Sequence, residues 1–226
     1  MRALILVISF FLFLDSTWAG ERHYTFEDDR SWEVISGDWK IKKGEYHHTE
    51  VAEEAIVLLK RDEEIEMNDI EYISVKANDL GNGEWQNIFI VFGYDGKSAH
   101  YHLGGVFVGG RQKWAFDKIG MKNHKIDGAV AEVDCAPNCP PKKWFDISLD
   151  FENGEAILSG GEEGGKIKER VRHKFGKMQS DRIGLGALKS IVKYKDFIVG
   201  GKGVKSLSVS PQDCITTTWA VVKSKI

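Results

Sequence analysis

The sequence predicts an all-β protein, on three observations. Short β-branched or aromatic runs recur between Gly, Asn and Asp turns in a chain with 24 Gly and four Pro, the punctuation of many short strands. Residues 144–151 alternate Trp144, Asp146, Ser148 and Asp150 against Phe145, Ile147, Leu149 and Phe151, the period of a half-buried strand. Helical periodicity is thin: Ala52-Glu53-Glu54-Ala55 reads as helix, but the adjoining Ile56-Val57-Leu58-Leu59 is equally at home in a strand.

In chain order, Trp39 to Lys42 form a strand, Lys43-Gly44 a turn and Glu45-Tyr46 the start of the next strand. Longer strands follow at residues 70–77, 85–94 and 100–108, the last two joined through Asp95-Gly96. After the strand at 144–151, Asn153-Gly154 is the sharpest hairpin signal, because a tight two-residue turn takes positive φ at both positions. It leads into residues 155–159, and closing strands fall at 182–188 and 191–199. Gly160 to Gly165 reads as a solvated acidic turn, without the Lys-Ser/Thr of a phosphate cradle.

Met1-Arg2 precede the apolar run Ala3 to Leu14, interrupted by Ser9 alone. That run is too short to cross a bilayer as a helix. With the exit Thr17-Trp18-Ala19 before Gly20 it fits an export signal over residues 1–19; an uncleaved membrane anchor is the alternative. Residues 20–203 then suit one large sandwich. From residue 204 to 226 the composition shifts to Ser, Thr and Val, a tail that either lies along the sandwich, joins it to a protein partner or is a partly ordered terminus. The expected location is secreted or periplasmic, with no membrane span once the signal is removed.

Lys and Arg number 31 against 34 Asp and Glu, a net charge of −3. This lacks the basic footprint that nucleic acid requires. In an exported chain Cys135 and Cys139, within Cys-Ala-Pro-Asn-Cys-Pro-Pro, are expected to close a small ring. Free thiols or pairing with Cys214 are the alternatives.

Four stretches carry a family resemblance. These are residues 24–46, with Trp32 and Gly37-Asp38-Trp39; Ile88 to Tyr94 with His100-Tyr101-His102-Leu103; Trp144-Phe145-Asp146-Ile147 with residues 151–154; and Arg182 to Gly186 with Tyr194 to Val199. Their order resembles the concanavalin A-like lectin/glucanase superfamily, especially its laminin G-like and bacterial sugar-processing jelly-roll branches. The resemblance implies a two-sheet antiparallel β-sandwich, and it specifies fold better than function. It also implies a structural Ca²⁺ shared between an acidic residue near the first strand and an Asp in the last. Glu27 and Asp196 occupy the matching places, and carboxylate oxygens suit that ion.

Catalytic constellations are incomplete. Glu64 and Glu66 would share one strand face as a glycosidase pair does, but Asn68 stands where a further carboxylate is expected, beside the charged run Arg61-Asp62-Glu63-Glu64. His100 and His102, near Arg111 and Gln112, could supply the base and neutralising group of a polysaccharide lyase. His47 and His48 are adjacent, so on a strand they point to opposite faces. Trp32, Trp39 and Trp144 are read as core. Glycan binding asks only for aromatic faces and a few polar groups, and Trp85, Tyr101, Arg111 and Trp114 are the candidates. The expected function is therefore a glycan-binding or adhesive module. The competing readings are a glycoside hydrolase or polysaccharide lyase, and a structural module of a surface assembly.

Overall fold

A computed structural model describes residues 20–61, 65, 70–95, 101–120, 125–176, 182–202 and 204, with side chains except at 118–120 and 125–128. The expected signal at 1–19, the candidates Glu64, Glu66 and His100, and residues 205–226 with Cys214 lie outside the described residues.

The strands are β1 (Gly20–Tyr24), β2 (Trp32–Ser36), β3 (Trp39–Lys42), β4 (Glu45–His48), β5 (Ala55–Leu59), β6 (Tyr72–Asp79), β7 (Asn87–Tyr94) and β8 (Tyr101–Phe107). They continue with β9 (Lys113–Gly120), β10 (Lys125–Asp134), β11 (Trp144–Glu152), β12 (Glu155–Glu162), β13 (Lys168–Lys174), β14 (Arg182–Ala187) and β15 (Val192–Gly201). One sheet runs β13-β12-β11-β6-β15-β4-β3, with β1 also pairing β15; the other runs β10-β9-β8-β7-β14-β5-β2. All the described pairings are antiparallel. The chain has the two-sheet jelly-roll architecture, and no helix among the described residues is long and apolar enough to cross a membrane.

Turn chemistry sets the hairpins. Lys43 and Gly44 take φ of 55° and 74°, and Asn153 and Gly154 take 52° and 77°, so both β3–β4 and β11–β12 are closed by two residues in the left-handed region. The apolar run at 56–59 belongs to strand β5, which is buried throughout. A strand covered on both sides needs no alternation, which is why periodicity left it ambiguous.

Between the sheets the core is built from every second residue. Ile88, Ile90 and Phe92 of β7 and Trp114 and Phe116 of β9 meet Ile73, Val75, Phe145, Ile147 and Leu149 from the opposing sheet. Two glycines make room for them: a Cβ on Gly104 would lie 2.7 Å from Leu149, and one on Gly160 would lie 2.4 Å from the Trp114 ring. Gly160 and Gly161 therefore belong to strand β12 rather than to a solvated turn, which begins only after Glu162.

Trp144 departs from the core reading. It lies on the polar side of β11, partly exposed, with Lys193 and Lys195 Nζ at 4.6 and 4.2 Å from its ring. Trp32 and Trp39 are buried. His47 and His48 do face opposite ways: His47 bonds Glu45, whereas His48 is fully buried against Trp39. Val204, the first residue of the expected tail, is buried.

Candidate functional site

The far side of the seven-stranded sheet carries a second apolar cluster, including Ile56, Leu58, Phe89, Val91, Leu103 and Phe107, with Trp85 packed at its margin. At the end formed by the start of β7, the end of β8 and the β8–β9 turn, Glu84, Trp85, Phe107, Gly110 and Arg111 line a pocket of about 400 Å³.

Three local devices build this pocket. The buried Asn87 amide clasps Leu188, donating to its carbonyl at 2.7 Å and accepting from its N–H at 2.9 Å. This brings the following residue, Lys189, over the Trp85 ring at 5.3 Å. Gln112 ties down the β8–β9 turn: its Nε2 donates to the carbonyls of Val108, Gly109 and Cys139 at 2.6–2.8 Å, and its Oε1 accepts from Cys139 N–H at 2.7 Å. The Cys135–Cys139 disulfide, with Cα atoms 5.8 Å apart, closes the loop that Gln112 holds. Arg111 then lies over the Phe107 ring, 4.0 Å from its centroid.

Both cations of the pocket are already neutralised. Arg111 reaches Asp117 at 3.2 Å and Glu132 at 2.6 Å, and Lys189 reaches Glu84 at 3.0 Å and Glu53 at 3.4 Å. Burial pushes the fully enclosed Asp117 carboxyl above the usual range, outweighing the attraction of Arg111. The Arg111 hydrogen bond holds Glu132 below it.

The other proposed ligand residues are placed differently. Trp114 is fully buried between the sheets and is not open to a ligand at this face. Its neighbour Lys113 points the other way; strand alternation puts Trp114 with Phe116 on the core side. Tyr101 shares the outer face with Phe107 but is covered, stacked near Tyr94 and donating to Glu54 at 2.5 Å. His102 faces the core, its ring 4.5 Å from Phe175 and 5.3 Å from Phe92, so it does not join Arg111 in a groove. Phe107, Glu84 and Lys189, not among the sequence candidates, complete the site.

Glu27 is exposed, and Asp196 sits at a β15 bulge with φ 54°, its carboxylate 3.7 Å from Lys76 Nζ. Among the described residues no group of three or more His, Cys, Asp or Glu side chains is arranged to hold a metal.

The fold is that of a concanavalin A-like jelly roll. Similar solved structures include a carbohydrate-binding module, CBM66, from Bacillus subtilis, with 12% identity, TM-score 0.59 and 74% of this chain covering 93% of that one. Another is the exoplasmic/lumenal domain of VIP36 bound to Ca²⁺ and Man3GlcNAc, with 10% identity, TM-score 0.55 and coverage of 82% and 89%. A third is a Bacillus licheniformis β-glucanase, with 8% identity, TM-score 0.52 and coverage of 80% and 98%. No protein-family model and no curated protein matches the chain.

Proposed function

We propose that the protein is an exported glycan-binding module that takes a neutral sugar in the Trp85–Arg111 pocket. The observation that carries this is the charge arrangement: the pocket offers an indole and a phenyl ring capped by the Arg111 guanidinium, Lys189 lies over the indole, and each of these two cations is satisfied by two carboxylates. An aromatic wall with a few fixed polar groups is what a sugar ring needs. A uronate would meet an arginine with no charge to spare and four nearby carboxylates, which disfavours the lyase reading. The structural neighbours, a carbohydrate-binding module and an exoplasmic/lumenal domain bound to Man3GlcNAc, support a saccharide ligand. The leader-like sequence of residues 1–19 and the Cys135–Cys139 bridge support export.

The test is retention of the purified protein on a panel of neutral and acidic polysaccharides, with reducing ends and unsaturated products measured in parallel. Saturable binding of a neutral glycan without product is expected. Trp85→Ala should weaken it at least about tenfold, the scale of one lost aromatic contact, while leaving the melting temperature unchanged. Product formation would make it an enzyme, and no retention on any glycan would make it a structural module.

A further inference from the structure

A second opening lies at the end of the sandwich, between the edge of β12 and the disulfide loop. It encloses about 180 Å³, with Trp114 and Phe145 in its floor, Pro137, Asn138 and Cys139 on one side, and Gly161, Lys166, Lys168 and Arg170 among those on the other. Arg170 is half-buried, its guanidinium 5.1 Å from the Trp114 ring. Its Nε and Nη1 donate to the carbonyls of Gly160 at 2.9 Å and Ala136 at 3.3 Å, both neutral acceptors. Among the described residues no carboxylate lies within ion-pair distance of Arg170, Lys166 or Lys168. Glu162, the one acid among the described lining residues, is engaged by Lys143 at 3.0 Å. Burial alone lowers the Arg170 pKa, with no acidic neighbour opposing it.

We propose that this cleft is a second binding site, selective for an oxyanion borne on a saccharide: the carboxylate of a uronic acid or the sulfate of a sulfated sugar. Among the described residues three cations and one occupied acid surround the space, so positive charge exceeds negative. Arginine's planar fork suits such oxyanions, and two of its five N–H groups are spent on holding the guanidinium in place. The apolar floor and the volume exceed what a bare ion fills, which favours a ligand with a ring. The site is separate from the Trp85 pocket and does not depend on that reading.

Calorimetric titration of the purified protein with glucuronate, glucose 6-sulfate, inorganic sulfate and glucose tests this. Both acidic sugars should bind saturably, more tightly than inorganic sulfate and more weakly as salt rises. Arg170→Gln should lower their affinity at least about tenfold, the effect of losing one charged hydrogen-bond donor, and Trp85→Ala should not change it. Should Arg170→Gln fail to fold, the double variant Lys166→Gln/Lys168→Gln decides, since both side chains are exposed; a loss of about threefold or more is expected from removing two partly screened charges. Absence of saturation with either acidic sugar, unchanged affinity in a folded Arg170→Gln, or inorganic sulfate binding as tightly as the sugars would each overturn the proposal.

Discussion

Two arginines on this sandwich stack on aromatic rings, and they lead to opposite conclusions. Arg111 covers Phe107 and spends its charge on Asp117 and Glu132, whereas Arg170 covers Trp114 and, among the described residues, bonds only backbone carbonyls. The ring contact is common to both, so it does not choose the ligand. What chooses is whether the guanidinium's charge is already balanced when the ligand arrives, because a paired cation has little field left to offer and an unpaired one in a half-buried setting has much.

The largest effect that sharpens this contrast concerns the rings themselves. Trp114 is a wall of the core and Trp85 a wall of a pocket, so the two substitutions to alanine should separate cleanly. Trp114→Ala is expected to cost about 3–5 kcal/mol in urea unfolding, and Trp85→Ala less than about 1 kcal/mol. Equal losses for the two would dissolve the distinction between them.

The disulfide comes next. A bridge closing so short a loop is expected to stabilise by about 2 kcal/mol through the unfolded chain's entropy. Because Cys139 lines the Arg170 cleft and also receives the Gln112 clamp, the double change Cys135→Ala/Cys139→Ala should weaken acidic-sugar binding more than neutral-glycan binding. Equal weakening, measured by titration at a temperature where the variant stays folded, would show that the loop serves both sites alike.

The smallest effect is a pH dependence. Asp117 in the native protein binds its proton more tightly than in the unfolded chain, since burial raises it. Its contribution to stability is therefore complete below the unfolded value near pH 4 and is lost as pH rises through the raised folded value. Asp79, raised by burial although Ser190 and the Gly81 N–H bond its charged form, acts in the same sense. Asp117→Asn should flatten the decline in stability as pH rises above about 4, the unfolded carboxyl's value. Unfolding curves for the variant that run parallel to the parent's at every pH would refute this.

The fold was largely legible because its cues are local. Asn153-Gly154 and Lys43-Gly44 carry their turn conformations in two residues each, and the alternation at 144–151 is visible in eight. Strands β9, β10 and β13 were not read as strands, and β10 is bulged at two places in its pairing with β9, which breaks the two-residue period. The pocket was half legible: Trp85 and Arg111 do line one space, while Lys189 arrives from about a hundred residues away through Asn87. Trp114 was misplaced by its neighbour Lys113, although Trp114, Phe116 and the intervening Ala115 spell an inward-facing pair. The Arg170 cleft was not legible at all, because the feature that defines it is a missing carboxylate, and that is known only once every neighbour has been placed.

Gly160 deserves its place in strand β12 for a reason that concerns the width of the sandwich. The Trp114 ring spans the gap between the sheets and stops against the bare backbone at Gly160, so one indole serves as the spacer that fixes how far apart the two layers stand at this end. A methyl group there would act as a shim: Gly160→Ala would have to part the layers or tilt the ring, and the opening beside Arg170 would be the first gap to change its dimensions.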